Sequence, residues 1–94
     1  MDLSIIISTR NRAQSLAKSL ESITQLDISF DRIEVLVADN GSRDATPSIC
    51  QMYGKVFPHF KYIFDGRPGQ LVGWHRALFE ARAEILAFID DDVR

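Results

Sequence analysis

The sequence contains a single cysteine, Cys50, which excludes an internal disulfide and any cysteine-based zinc centre. A lone thiol suits a reducing compartment, so a cytoplasmic location is expected, at the cytoplasmic face of a membrane if a region outside these residues attaches there. No basic leader precedes the first apolar run, and Ile5-Ile6-Ile7 is too short for a signal peptide. No segment approaches the length of a membrane span. Neither sign of charge is in large excess: 11 Lys+Arg face 13 Asp+Glu, a net charge of -2. That balance argues against nucleic acid or an anionic membrane surface as a general partner. Glycine is missing where nucleotide-binding folds often need it. The segment Ser8-Thr9-Arg10-Asn11-Arg12 has none, which rules out a G-x-G-x-x-G dinucleotide turn, and no G-x-x-x-x-G-K-[ST] phosphate loop occurs anywhere. Low-complexity tracts and linkers are absent too. With 46% hydrophobic and 26% charged residues, the 94 residues have the composition of at most one globular domain.

What is present is a strict alternation of strand and helix signals. Leu3 to Ser8 is β-branched and apolar, the pattern of a first strand. Asn11 with Gln14 three residues on has the spacing of a capping box, and Leu16, Leu20 and Ile23 then form one apolar stripe. Asp27 to Arg32 is a polar connection, and Ile33 to Ala38 is a second strand ending at Asp39. Beyond the turn at Asn40-Gly41-Ser42, Thr46-Pro47 predicts a helix start. That helix is expected to turn Ile49, Met52 and Tyr53 inward and to stop at Gly54. Phe60 to Phe64 reads as a short third strand, and Asp65 to Gly69 as the loop beyond it. A third helix is expected from about Gln70 to Arg82, burying Leu71, Trp74, Leu78 and Ala81. A fourth strand, Ile85 to Ile89, runs into Asp90-Asp91-Asp92. This βαβαβαβ order predicts an α/β fold with a Rossmann-like parallel sheet and right-handed crossovers.

In such a sheet the segments that follow the strands lie along one carboxyl edge, where ligands bind. Thr9 to Arg12, Asp39 to Ser42, Asp65 to Gly69 and Asp90 to Asp92 all fall there. Three successive carboxylates repel one another unless a cation sits among them. Strand alternation puts Asp90 and Asp92 on one side, a spacing that suits a hard divalent cation, Mn²⁺ or Mg²⁺, that also holds phosphate oxygens; a solvated acidic loop is the plainer alternative. Without a glycine loop, phosphate charge would fall to that cation and to Arg10, Arg12 and Arg67. Asp39 ends a buried strand. It can accept from the ring N–H of a pyrimidine imide, or cap its own turn at Asn40-Gly41. Asp44 is expected to cap a helix, Cys50 to pack in the core and His59 to lie at the surface; His75 could serve the site or the packing.

Taken together, Ser4 to Arg12, Glu34 to Thr46, Gly69 with the alanine-rich helix, and Phe88-Ile89-Asp90-Asp91-Asp92 resemble the amino-terminal half of an inverting family 2 glycosyltransferase with the GT-A fold. The resemblance spans nearly the whole chain in order and spacing. It implies a nucleotide-diphosphate sugar donor, often a uridine one, and a divalent cation. Thr9 would contact the base, with Arg10, Asn11 and Arg12 beside it, and Asp39 would accept from the imide. Arg67 would reach the nucleotide. Asp90 and Asp91 would contact ribose or sugar, and Asp92, with Asp90, would hold the metal. The chain departs from the family pattern at Trp74-His75, where relatives often carry Arg-Asn, and at Ala77 and Ala83, where they often carry glycine.

The general base and acceptor site of that family lie downstream of the aspartates, so these residues are expected to be a donor-binding half, inactive alone, with the acceptor unknown. The fourth strand is then expected to be left as an exposed sheet edge through which copies associate. The alternative function is a non-catalytic nucleotide-binding or assembly module on the same fold. A phosphoacceptor receiver is disfavoured, since it wants an acidic pair where Thr9-Arg10 stands. A sugar-nucleotidyltransferase is disfavoured by the glycine-free first turn.

Overall fold

The structure, a computed structural model, describes residues 2–64, residues 81 and 82, and the backbone of 85–90. Four strands form one parallel sheet: β1 (Leu3–Thr9), β2 (Ile33–Asp39), β3 (Phe60–Phe64) and β4 (Ile85–Asp90), in the order β3-β2-β1-β4. All three pairings are parallel, with Leu3 opposite Ile33 and Ile85, and Val35 opposite Phe60. The α/β, Rossmann-like architecture expected from the sequence is therefore the one observed. Two helices lie in the described crossovers, α1 (Ala13–Thr24) and α2 (Thr46–Tyr53), with a single 3₁₀ turn at Phe30–Arg32 leading into β2.

Alternation along the strands sorts two cores. Ile5 and Ile7 of β1 and Ile33, Val35 and Val37 of β2 face α1 and α2, where Leu16, Leu20, Ile23, Cys50 and Phe57 close over them. Ile6, Leu36, Ala38 and Ile63 face the other way, with Ala81 against them. Each fully buried aliphatic side chain such as Leu16 or Leu20 contributes about 1.5–3 kcal/mol. β1 and β2 are buried along nearly their whole length, as expected of strands covered on both faces.

Several local expectations are revised. Asn11 does not cap α1: it sits at φ 53, and the N-cap residue, Arg12, makes no side-chain capping bond. The side chain at that helix end is instead the carboxylate of Asp44, 31 positions away, which accepts from the Ala13 N–H at 3.1 Å. Asp44 also accepts from the Thr46 N–H (3.0 Å) and hydroxyl at the start of α2, so the expected cap serves two helices. α2 has only eight residues, and its buried side is Thr46 and Cys50 with Ile49 and Tyr53 beside them. Met52 is therefore exposed rather than inward, because a stripe at i and i+4 leaves it on the flank. His59 is half-buried, with its Nδ1 at 3.3 Å from the Arg82 guanidinium. Ala81 and Arg82, expected at the end of the third helix, are non-helical; the rest of that helix and the Asp65–Gly69 loop lie outside the described residues.

On the face away from α1, the Glu34 carboxylate is fully buried and ties the chain before β4 to the sheet. It accepts from the Ser4 hydroxyl (2.7 Å), the Arg82 N–H (2.8 Å) and the Arg82 guanidinium Nε (3.0 Å). Burial alone would raise this carboxyl. The hydrogen bonds from Arg82 and Ser4 outweigh it and hold the group below its ordinary 4.5.

Candidate functional site at the carboxyl edge

The parallel register brings the chemically loaded ends of three strands to one edge. Thr9 lies opposite Asp39, Asp39 opposite Phe64, and Ser8 opposite Asp90. Because β1 runs between β2 and β4, the backbones at Asp39 and Asp90 stand two strand spacings apart, roughly 9.6 Å.

At this edge Asp39 is fully buried. Its Oδ1 accepts the Ser42 N–H at 2.8 Å, which closes the turn, and its Oδ2 accepts the Tyr62 hydroxyl at 2.5 Å. The turn-capping alternative is thus realised, and it leaves part of the carboxylate's acceptor capacity over. An ionised carboxylate offers roughly four lone-pair positions, and these two bonds occupy one on each oxygen. Tyr62, half-buried on β3, has its phenol pushed above the usual range by burial and then by the Asp39 carboxylate, so it stays a donor. A buried carboxylate costs free energy unless it is hydrogen-bonded, and both bonds here serve that need.

The loops after β1 and β2 are clasped together. Asn40 donates its backbone N–H to the Thr9 carbonyl (2.9 Å) and its side-chain amide to the Ser8 hydroxyl (3.1 Å). Asn11 donates its N–H to Ser42 Oγ (2.8 Å), and its Oδ1 accepts from the Arg43 N–H (2.7 Å). Gly41, at φ 94, makes the bend that permits these bonds. The buried Oδ1 of Asn40 has no hydrogen-bond partner.

Of the residues expected in the site, Thr9 is buried at the end of β1, and Arg10, Asn11 and Arg12 are exposed on the loop that follows. Asp39 is buried at the end of β2, and Asp90 ends β4. Arg67, Asp91 and Asp92 lie outside the described residues. Sequence reasoning missed Tyr62 and the two-sided part played by Ser42. An alternate-position tyrosine in a short strand carries no signal until the β2–β3 register is known.

The donor set bears on a metal. Asp90, opposite Ser8 where β4 ends, is a hard oxygen donor of the kind Mn²⁺ and Mg²⁺ take, but among the described residues no group of three or more His, Cys, Asp or Glu could hold a metal ion.

The four-stranded parallel sheet with helices in its crossovers is an α/β architecture shared with glycosyltransferases of the GT-A fold. The chain belongs to glycosyl transferase family 2, whose family model matches residues 4–94. It is 39% identical over 94 residues to the uncharacterized glycosyltransferase YfnE of Bacillus subtilis, an alignment covering 99% of this chain and 24% of that protein. S. aureus TarS 1-349 in complex with UDP-GlcNAc superposes with a TM-score of 0.86 at 29% identity, over 98% of this chain and 27% of the other. The Pyrobaculum calidifontis mannosyltransferase PcManGT, in complex with GDP-Man and Mn²⁺, superposes with a TM-score of 0.85 at 29% identity, over 96% and 27%. The chain spans 24–30% of the length of the first curated relatives it matches. No helix among the described residues is long and apolar enough to cross a membrane.

Proposed function

We propose that this chain is the donor-binding part of an inverting glycosyltransferase that takes a nucleotide-diphosphate sugar, with uridine as the base. The observation that carries the reading is Asp39: a buried carboxylate at the ligand-binding edge, held by the Ser42 N–H and the Tyr62 hydroxyl, with acceptor positions left for one ring N–H. The complex of TarS with UDP-GlcNAc supports it. In this reading Thr9 meets the base, Asp39 accepts from the uracil N3–H, and Arg10, Asn11, Arg12 and Arg67 stand along the path of the nucleotide. Asp90 and Asp91 contact ribose or sugar.

Asp92, with Asp90, would hold a divalent cation, which when bound neutralises charge on the departing nucleoside diphosphate. The chain's own residues bind and orient: the loop clasp fixes the Thr9 and Asp39 ends, so the base meets a rigid wall. The general base for the acceptor hydroxyl and the acceptor site belong, in this reading, to sequence beyond the aspartates, and the 94 residues alone do not turn over. The acceptor is a hydroxyl-bearing molecule of unassigned class. The free Cys50 accords with a cytoplasmic enzyme, and β4, at the sheet edge among the described residues, is where copies would pair.

Calorimetric titration with UDP, in Mn²⁺ and then in EDTA, tests the reading. Metal-dependent binding that is lost in Asp92→Ala is the expected result. No binding by a chain shown folded by circular dichroism refutes an autonomous donor site.

A further inference from the structure

We infer that Tyr62 is a positioning residue that sets the choice of pyrimidine by fixing the orientation of the Asp39 carboxylate; the inference rests on the proposed base reading. The geometry is specific. Asp39 is held from two directions, by the Ser42 N–H on Oδ1 and by the Tyr62 hydroxyl on Oδ2. Ser42 belongs to the same tight turn as Asp39 and fixes one oxygen locally. Tyr62 comes from the neighbouring strand, two register positions back, where it pairs with Val37. By alternation it shares the sheet face of Asp39, so it reaches the carboxylate diagonally and fixes its plane. Its ring also packs against Phe64, with centroids 6.5 Å apart, which limits where the hydroxyl can go.

The consequence is chemical selection. With a hydrogen bond on each oxygen, the carboxylate is fixed in its plane and turns its remaining lone pairs toward a ligand. Uracil offers an N3–H to that surface. Cytosine puts an N3 lone pair where uracil has its N3–H and carries its donor on the exocyclic N4 instead, so a carboxylate held to meet N3–H is misplaced for it. UDP should therefore draw more on Asp39 and its tyrosine than CDP does. Loss of the Tyr62 hydroxyl frees the carboxylate to rotate and weakens the UDP contact only. A purely structural role would weaken both nucleotides alike.

The test is calorimetric titration of the wild-type chain, Tyr62→Phe and Asp39→Asn with UDP and with CDP, all in Mn²⁺. Tyr62→Phe keeps the ring and its packing. UDP affinity is expected to fall about fivefold to tenfold, the scale of a hydrogen bond to a charged group, while CDP affinity holds. A parallel fall for both nucleotides, or no change for either, overturns the role of Tyr62 while leaving Asp39 as the base contact. UDP binding absent in the wild type, or unchanged in Asp39→Asn, overturns the base reading itself and this inference with it. Circular dichroism checks folding, and if Tyr62→Phe does not fold, Tyr62→Leu, which also lacks a donor, takes its place with the same outcomes.

Discussion

Replacing Arg82 by alanine tests the buried carboxylate that pins the chain ahead of β4. Glu34 is fully buried, whereas the Arg82 side chain is 53% exposed. The substitution removes the guanidinium but keeps the backbone N–H of residue 82 and the Ser4 hydroxyl, so two of the three bonds to the carboxylate survive. A hydrogen bond to a charged group contributes about 1.5–3 kcal/mol, and the solvent exposure of Arg82 lowers that to about 1–2 kcal/mol near neutral pH.

The pH dependence follows from the direction of the Glu34 shift. Its folded value lies below the ordinary one, so the carboxylate's contribution is present above the unfolded pKa and is lost as pH falls through the folded pKa. Without Arg82, burial is opposed by fewer bonds and the folded value moves up, so the acid loss begins at higher pH. Urea unfolding followed by circular dichroism at about pH 7 and about pH 3 measures both effects. The gap between wild type and variant should narrow as the pH falls through the folded value of Glu34, because the bond from Arg82 weakens as the carboxylate takes up a proton. A cost at neutral pH of only about 0.3 kcal/mol or less, or a gap of equal size at both pH values, refutes the reasoning.

Two further outcomes are expected. Gly41→Ala places a Cβ at φ 94 and should cost about 1–2 kcal/mol in the same urea assay, and because the bend supports the clasp it should also weaken UDP binding. The Cys50 thiol, pushed up to about 12 by burial and then by the charge of Asp39, should resist DTNB in the folded chain and react at once in urea; fast reaction without urea would show that α2 opens readily.

The strands were legible because continuous apolar runs of five to seven residues, such as Ile33 to Ala38 and Ile85 to Ile89, have few other uses in an alternating chain. The places of Asp39 and Asp90 at strand ends were legible for the same reason, since a carboxylate directly after an apolar strand stands out. Pairings across long sequence distances were not. Glu34 looks like an ordinary polar interruption until Ser4 and Arg82 arrive from either side. Asn11 carries a well-formed local capping signal, yet its carbonyl oxygen accepts from Arg43 and Asp44 takes the N-terminal bond of α1. Met52 was misplaced because an eight-residue helix shows too little of its period to fix which side is inward. Tyr62 becomes visible only once β3 is registered on β2.

The strand order also bears on how the chain reaches its fold. β1 is the first strand made and lies between β2 and β4, and its partner on one side, β4, is separated from it by almost the whole sequence. During synthesis β1 can zip to β2 early, but its other flank keeps unmatched N–H and C=O groups until residues 85–90 emerge. Of these four strands, the segment ending at Asp90 is thus the last to pair, so completion of this sheet and of its carboxyl edge fall in one step. Slow translation or a weakened β4 would lengthen the interval in which β1 is open to pairing with the wrong strand.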